Sequence, residues 1–364
     1  MPRQAANSPQ IPAMGADCGS VAALSPAILP VAMRGDSSPS SVVSGSVQRM
    51  PSVWVALSGG LGNQLFQWAA AQSLALDWGE PAAMLDLRLY ERTPWRRAFL
   101  AVRGAVWRVL AGRDAHFRYR MLERQSELAG VGIDPAPLPT PRPTVEDLRR
   151  AWRDPDCMTA GGRRVVRDTA EVDRARPEPV LLADWLQSER HFAHRAPAIR
   201  RLLDVPYTSP AFERWCDHLA APEAVAVHVR RGDLLKKRNH VFAVQSPRYY
   251  EEAARLVAER TGADHFFVFT DDPAWARAEV RLPGRTTLVS GPEGGSAVDD
   301  FRLMSLARHI VMANSTFSWW AAWLGERPGS CVIAPAAWNY DGGRQPELVP
   351  SRWMILDVPP LAVR

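Results

Sequence analysis

The sequence predicts an α/β protein of two halves, each a doubly wound parallel sheet, with a cleft between them. Three observations predict it. Short apolar runs (Val53–Leu57, Glu223–Val229, His265–Thr270, Ile310–Asn314) alternate with stretches of helical spacing. The turns after several of these runs are rich in Gly, Asp, Ser and Thr and lead straight into helices. The chain has 364 residues, more than one ordinary core organises.

Residues 1–50 are rich in Pro, Ser, Ala and Gly and carry no sustained period. They read as a flexible tail, or as residues upstream of the true start. The first strand is Ser52–Leu57. A turn, Ser58-Gly59-Gly60-Leu61-Gly62-Asn63, leads to a helix over Gln64–Asp77 that places Leu65, Phe66, Ala69, Ala70, Ser73 and Leu74 on one face. Strand, glycine loop and helix together open a Rossmann-like unit. Ala82–Leu85 reads as the second strand, ending at Asp86. Residues 88–124 carry many arginines interleaved with aromatics, the pattern of a helix with a positive face. Residues 135–180 read as loop because of their prolines. A strand follows at Val180–Trp185, then a helix from about Glu189 to Leu203, and Pro206–Pro210 reads as a linker. The expected divisions are therefore a tail at 1–50, a first domain at 51–205 and a second at 206–364.

The second half is more regular. Ser246-Pro247 opens a helix that Gly262 ends. Asp272-Pro273 caps a short helix after the strand His265–Thr270. A strand over Thr286–Ser290, a helix over Asp299–His309, the strand Ile310–Asn314 and a helix over Ser318–Leu324 follow. Cys331–Ala334 closes the series.

Composition limits the function classes. Hydrophobic residues make up 46% and charged residues 23%, a folded, globular balance. The net charge of +5 suits an anionic ligand but does not by itself argue for nucleic acid, and none is expected. Four scattered cysteines, none at CxxC spacing, read as reduced thiols rather than a zinc site. No stretch is apolar for the roughly 18 residues a membrane span needs, so the expected location is cytoplasmic. The positive face at 88–124 is then either solvated or a peripheral contact with the inner membrane.

The chemistry gathers at strand ends. His228-Val229-Arg230-Arg231-Gly232-Asp233 emerges from the strand Glu223–Val229, and arginine grips phosphate through a planar, permanently charged fork. Thr270-Asp271-Asp272 leaves the next strand, with carboxylates suited to ribose hydroxyls or a base edge. Asn314-Ser315-Thr316-Phe317-Ser318 feeds a helix, so hydroxyls and free N–H groups meet there. Together these loops describe a nucleoside diphosphate pocket built without a metal. Gly60 and Asn63 lie in a tight loop able to approach the same ligand; its spacing is not that of a dinucleotide fingerprint. Asp154-Pro155-Asp156 has the DxD form of metal-dependent glycosyl transfer, but no apolar strand precedes it, and it is not taken as a metal site.

Five segments in order resemble the alpha-1,2-fucosyltransferases, glycosyltransferase family 11: GGLGNQLFQWAAAQSLA (59–75), DWLQSERHF (184–192), HVRRGD (228–233), FVFTDDPAWA (267–276) and DDFRLMSLARHIVMANSTFSWWAAWL (299–324). The resemblance implies a GT-B-like fold, two Rossmann-like domains facing across a cleft. It implies GDP-β-L-fucose as donor, transfer with inversion to the 2-hydroxyl of a terminal β-galactoside, and no metal or other cofactor. By position, it implies that Arg230 binds the diphosphate, with His228 nearby. Arg231 would assist, Asp272 would face the nucleoside, and Asn314, Ser315, Thr316 and Ser318 would line the phosphates. Gly60 and Asn63 would approach from the other domain. Asp233 is the nearest carboxylate to serve as general base; it is equally well a partner of Arg231. The sequence departs from the pattern in two places. HVRRGD continues as Leu234-Leu235 rather than Tyr-Val, and DWLQSE stands where GYWQSE is usual. The alternatives are a fucosyltransferase of another linkage, alpha-1,6 or protein O-linked, and a GDP-sugar-binding protein without catalysis. A lipid-linked acceptor would give 88–124 a reason to meet a membrane.

Overall fold

The computed structural model describes residues 52–86, 128–133, 141–232, 234–235, 241–290, 295–340 and 347–362. The tail at 1–50, the basic stretch at 88–124 and Asp233 lie outside the described residues. Arg49–Arg364 form one compact unit that contains two sheets.

The first sheet has the order β2-β1-β5-β4-β3. Its strands are β1 (Val53–Leu57), β2 (Ala82–Asp86), β3 (Thr159–Ala160), β4 (Arg163–Val166) and β5 (Val180–Leu182). All pair in parallel except β3 with β4, an antiparallel hairpin. Its turn is Gly161-Gly162, both at positive φ, which only glycine adopts without strain. The second sheet is wholly parallel, in the order β11-β10-β9-β6-β7-β8. Its strands are β6 (Ala224–Val229), β7 (His265–Thr270), β8 (Arg285–Leu288), β9 (His309–Val311), β10 (Val332–Pro335) and β11 (Met354–Leu356). The fold is the two-sheet, GT-B-like α/β architecture that the sequence predicts.

The described helices are α1 (Leu61–Trp78), α2 (Val145–Arg153), α3 (Ala196–Leu203), α4 (Pro210–Ala220), α5 (Pro247–Thr261), α6 (Pro273–Glu279), α7 (Ala297–Leu306) and α8 (Thr316–Gly325). Several differ from the sequence expectation. The stretch read as loop at 135–180 holds α2, β3 and β4. A Thr144–Asp147 capping box starts α2 despite the neighbouring prolines. The helix expected from Glu189 begins only at Ala196, after two 3-10 turns. The linker is followed at once by α4, which Ser209 caps through Phe212 N–H at 3.0 Å. β11 was not foreseen, because its apolar run Met354-Ile355-Leu356 is only three residues long and, at the sheet edge, not fully buried.

The largest core cluster joins the two sheets. It runs from β1 and α1 through Phe192 to α8 and Trp353. Both α1 and α8 are buried over most of their circumference, which explains why neither reads as an amphipathic surface helix. Phe66 packs 4.5 Å from Trp319 and 5.1 Å from Trp320, and Phe192 stacks on Trp320 at 5.2 Å. Each such aromatic pair is worth about 0.5–1.5 kcal/mol beyond its buried area. A polar tie reinforces the junction: Arg352 bonds Glu189 and Glu326, each at 2.8 Å, and Trp323 Nε1 donates to Glu189 at 3.2 Å.

Candidate functional site

In an open parallel sheet, ligands bind beyond the carboxyl ends of the strands, where the strand order reverses. In the second sheet that reversal lies between β6 and β9, because β7 and β8 extend from β6 to one side while β9 leads to β10 and β11 on the other. The loops after β6 and β9 carry Arg230 and Ser315. Arg230 Nη1 donates to Ser315 Oγ at 3.0 Å, so the two loops close on one another at the switch point.

Ser315 is the N-cap of α8, yet its hydroxyl makes no capping bond to the helix. The first N–H groups of a helix have no intrahelical partner, and the helix dipole adds positive charge there. A guanidinium and a helix start therefore converge on one spot, which is the chemistry of a phosphate site. His228, on β6, is mostly buried, with its ring 5.8 Å from that of Phe317.

The loop around Arg230 is held by carboxylates from the next strand. Asp271 Oδ1 accepts from the backbone N–H groups of Arg231 at 2.8 Å and Gly232 at 3.0 Å. Asp272 accepts from Arg231 Nη1 at 2.7 Å and caps α6 through Trp275 N–H at 3.2 Å. The guanidinium of Arg231 lies 4.8 Å from the centre of the Trp275 ring. The two arginines thus divide their roles: Arg230 points to the switch point, and Arg231 anchors the loop.

Several of the other predicted residues have structural partners. Asp272 spends both carboxylate oxygens on Arg231 and the helix cap, so the expectation that it faces the nucleoside gives way to an anchoring role. Asn314 Nδ2 staples Ala243 O at 2.8 Å and Trp338 O at 3.0 Å. Ser318 is fully buried and donates to Ser315 O at 3.2 Å, so its side chain does not reach a ligand. Thr316 donates to Asn63 Oδ1 at 2.9 Å, across the junction of the two sheets.

That junction is tight. Gly60 caps α1, and a Cβ on Gly62 would lie 2.4 Å from the backbone of Thr316. The starts of α1 and α8 meet backbone to backbone, as the glycine loop allows. Gln187 Nε2 also donates to Asn63 Oδ1, at 2.8 Å. With that oxygen taken twice, Asn63 keeps its Nδ2 as a donor. Gln64 and Gln67, both buried, brace the loop through Gly59 O at 2.9 Å and Ser58 N–H at 2.8 Å.

The sequence reading passed over three neighbours: Gln187, Ser290 and Asp300. Thr270 N–H donates to Ser290 Oγ at 3.0 Å, and Ser290 donates to Asp300 Oδ2 at 2.9 Å. Asp300 Oδ1 has no hydrogen-bond partner among the described residues. Burial pushes this carboxyl up to about 6. The signal available in the sequence was the acid pair Asp299-Asp300 at a helix start, but a cap explains such a pair equally well. Asp299 is that cap box, bonded to Ser296.

Among the described residues no group of three His, Cys, Asp or Glu side chains comes together to hold a metal. Asp154 and Asp156 sit in an exposed turn after α2, Asp154 Oδ1 accepting from Asp156 N–H at 3.0 Å. Among those residues no helix is long and apolar enough to cross a membrane.

An arginine and a helix start at the switch point of a parallel α/β sheet make the arrangement in which phosphorylated ligands are bound at strand ends. Residues 217–347, which carry β6 to β10 and every loop of this site in the second sheet, match the model of glycosyl transferase family 11. An alpha-1,2-colitosyltransferase of Escherichia coli is 32% identical over 155 residues, 42% of this chain and 53% of that protein. The galactoside alpha-(1,2)-fucosyltransferase 2 of Bos taurus is 34% identical over 103 residues, 28% of this chain and 30% of that protein. The chain thus spans about half, or less, of the length of these relatives. A solved alpha-1,6-fucosyltransferase, NodZ soaked with GDP-fucose, is similar over 76% of this chain and 93% of its own, at 14% identity and a TM-score of 0.40.

Proposed function

We propose that the protein transfers L-fucose from GDP-β-L-fucose to the 2-hydroxyl of a terminal β-galactoside, with inversion and without a metal. The observation that carries this reading is the Arg230–Ser315 closure at the switch point, inside the segment that matches family 11. The names of the bovine and bacterial relatives support the 1,2-linkage, and the bovine name supports a galactoside acceptor.

As the bond from the anomeric carbon to the diphosphate breaks, positive charge develops on the sugar and GDP takes the electron pair. Arg230 and the N–H groups at the start of α8 supply the countercharge that a metal provides in other transferases. Asn63 Nδ2 adds a donor from the first sheet. The acceptor hydroxyl loses its proton as its oxygen bonds to the anomeric carbon, and a carboxylate base takes it; Asp233 keeps that role in this reading.

The test is incubation with GDP-fucose and a panel of β-galactosides in the presence of EDTA, with linkage analysis of the product. An alpha-1,2-fucosylated product formed in EDTA supports the reading. A 1,6-linked product, or activity restored only by added divalent cation, overturns it. Because one relative is a colitosyltransferase, the panel includes the colitosyl donor on the same nucleotide.

A further inference from the structure

The first sheet has a switch point of its own. Its order β2-β1-β5-β4-β3 places β2 on one side of β1 and β5 on the other, so the reversal lies between β1 and β5. The loop after β1 is the glycine loop already described. The loop after β5 is Ala183-Asp184-Trp185-Leu186, and the donor site draws on neither Asp184 nor Trp185.

We infer that Trp185 and Asp184 form the subsite for the acceptor sugar, with the indole as a platform for the ring and the carboxylate as acceptor for its hydroxyl hydrogens. This inference rests on the functional reading above and specifies the side of the site which that reading leaves open.

Position comes first. A Cβ on Gly59 would lie 3.1 Å from the Trp185 ring and 2.5 Å from Asn63 Nδ2, so the indole and the Asn63 amide share the space above that glycine. Asn63 in turn contacts Thr316, and Ser315 contacts Arg230. A short run of contacts therefore leads from Trp185 to the phosphate grip, across the meeting point of the two sheets.

Trp185 is also held for a purpose that the core does not require. Its ring is only half-buried, while Trp152 from α2 meets it edge-on at 5.2 Å and 67°. The next residue, Leu186, has φ of 52°, a left-handed conformation unfavourable for a non-glycine residue. That turn buries Leu186 and sends Gln187 to Asn63. Arg167 Nη1 fixes the strand end by donating to Ala183 O at 3.0 Å.

Asp184 supplies the polar half. Its Oδ1 accepts from Trp185 N–H at 2.6 Å, which keeps the carboxylate beside the indole. Its other oxygen has no partner among the described residues. An apolar ring face next to a carboxylate matches a pyranose, which offers C–H groups on one face and hydroxyls at its rim.

The experiment compares wild type with Trp185→Ala, Trp185→Phe and Asp184→Asn on the full chain. GDP affinity is measured by calorimetry, and acceptor binding by saturation-transfer NMR of methyl β-galactoside on the GDP-loaded protein. Steady-state acceptor KM is measured with GDP-fucose. Trp185→Ala should raise acceptor KM roughly tenfold and erase the NMR transfer, with Trp185→Phe intermediate. Asp184→Asn should raise acceptor KM with kcat little changed, and GDP affinity should stay within twofold throughout. An acceptor KM in Trp185→Ala within twofold of wild type overturns the inference, as does a loss of GDP affinity that parallels it. A wild type that binds GDP but transfers nothing refutes the functional reading instead, and the NMR comparison then still tests the platform.

Discussion

Asp300→Asn should stabilise the protein at neutral pH, and the size of the effect follows from one buried carboxyl. Asp300 on α7 receives one hydrogen bond, from Ser290, and its Oδ1 receives none among the described residues. Burial is the main cause that lifts its pKa from 3.8 to about 6, and the neighbouring Asp299 adds to it. The folded protein therefore keeps this proton to about pH 6, whereas the unfolded chain releases it near 3.8. Between those values the folded state binds more protons, so its stability falls as pH rises through the window. A shift of about two units is of the order of 3 kcal/mol, fully lost by pH 7.5. Asn keeps the shape and removes the charge. In urea unfolding at pH 4, 5, 6 and 7.5, the variant should match wild type at the lowest pH and exceed it by about 3 kcal/mol at the highest. A gap that does not depend on pH refutes the buried-carboxyl argument, as does a variant less stable than wild type at pH 7.5. Asp300 lies two hydrogen bonds from the end of β7, through Ser290 to Thr270.

Other substitutions test the separate parts of the site. Gly62→Ala drives a methyl into the Thr316 and Phe317 backbone at 2.4–2.6 Å; overpacking against backbone should cost about 3 kcal/mol, read as a lower Tm, and should weaken GDP binding further than the Tm loss explains. Arg230→Ala should abolish measurable GDP binding in calorimetry with the fold intact by circular dichroism. Arg231→Ala, which frees Asp272 and uncovers Trp275, should lower Tm and weaken GDP by a smaller factor; equal losses of affinity in the two variants would refute the division of roles between these arginines.

Much of the architecture was legible because a buried parallel strand and a helix start have local signatures. β6 and β7 read as apolar runs, and Pro247, Pro273 and Gly262 stand where the helices begin and end. The segment 135–180 was misread because prolines outweighed two short-range signals, the Thr144–Asp147 box and the Gly161-Gly162 turn. Site residues were legible where a motif sits at a strand end, as with Arg230 and Ser315. Their individual roles were not: adjacent residues such as Arg230 and Arg231, or Asp271 and Asp272, look alike in sequence and face different partners.

By itself the sequence determined the α/β class, the strand ends at which chemistry gathers, and the likeness to family 11, since each depends on spacing within one segment. Only the tertiary structure decided which of those residues meet. Arg230 and Ser315 are 85 positions apart and join because the strand order reverses between β6 and β9. Asn63 and Thr316 are 253 positions apart and join because Gly62 lets two helix starts touch. Trp185 looked like the end of a strand; the fold brings it against Gly59 and Asn63 of the β1 loop, with Leu186 beside it in a left-handed turn. Such contacts are set by strand order and close backbone approach, which no local pattern encodes.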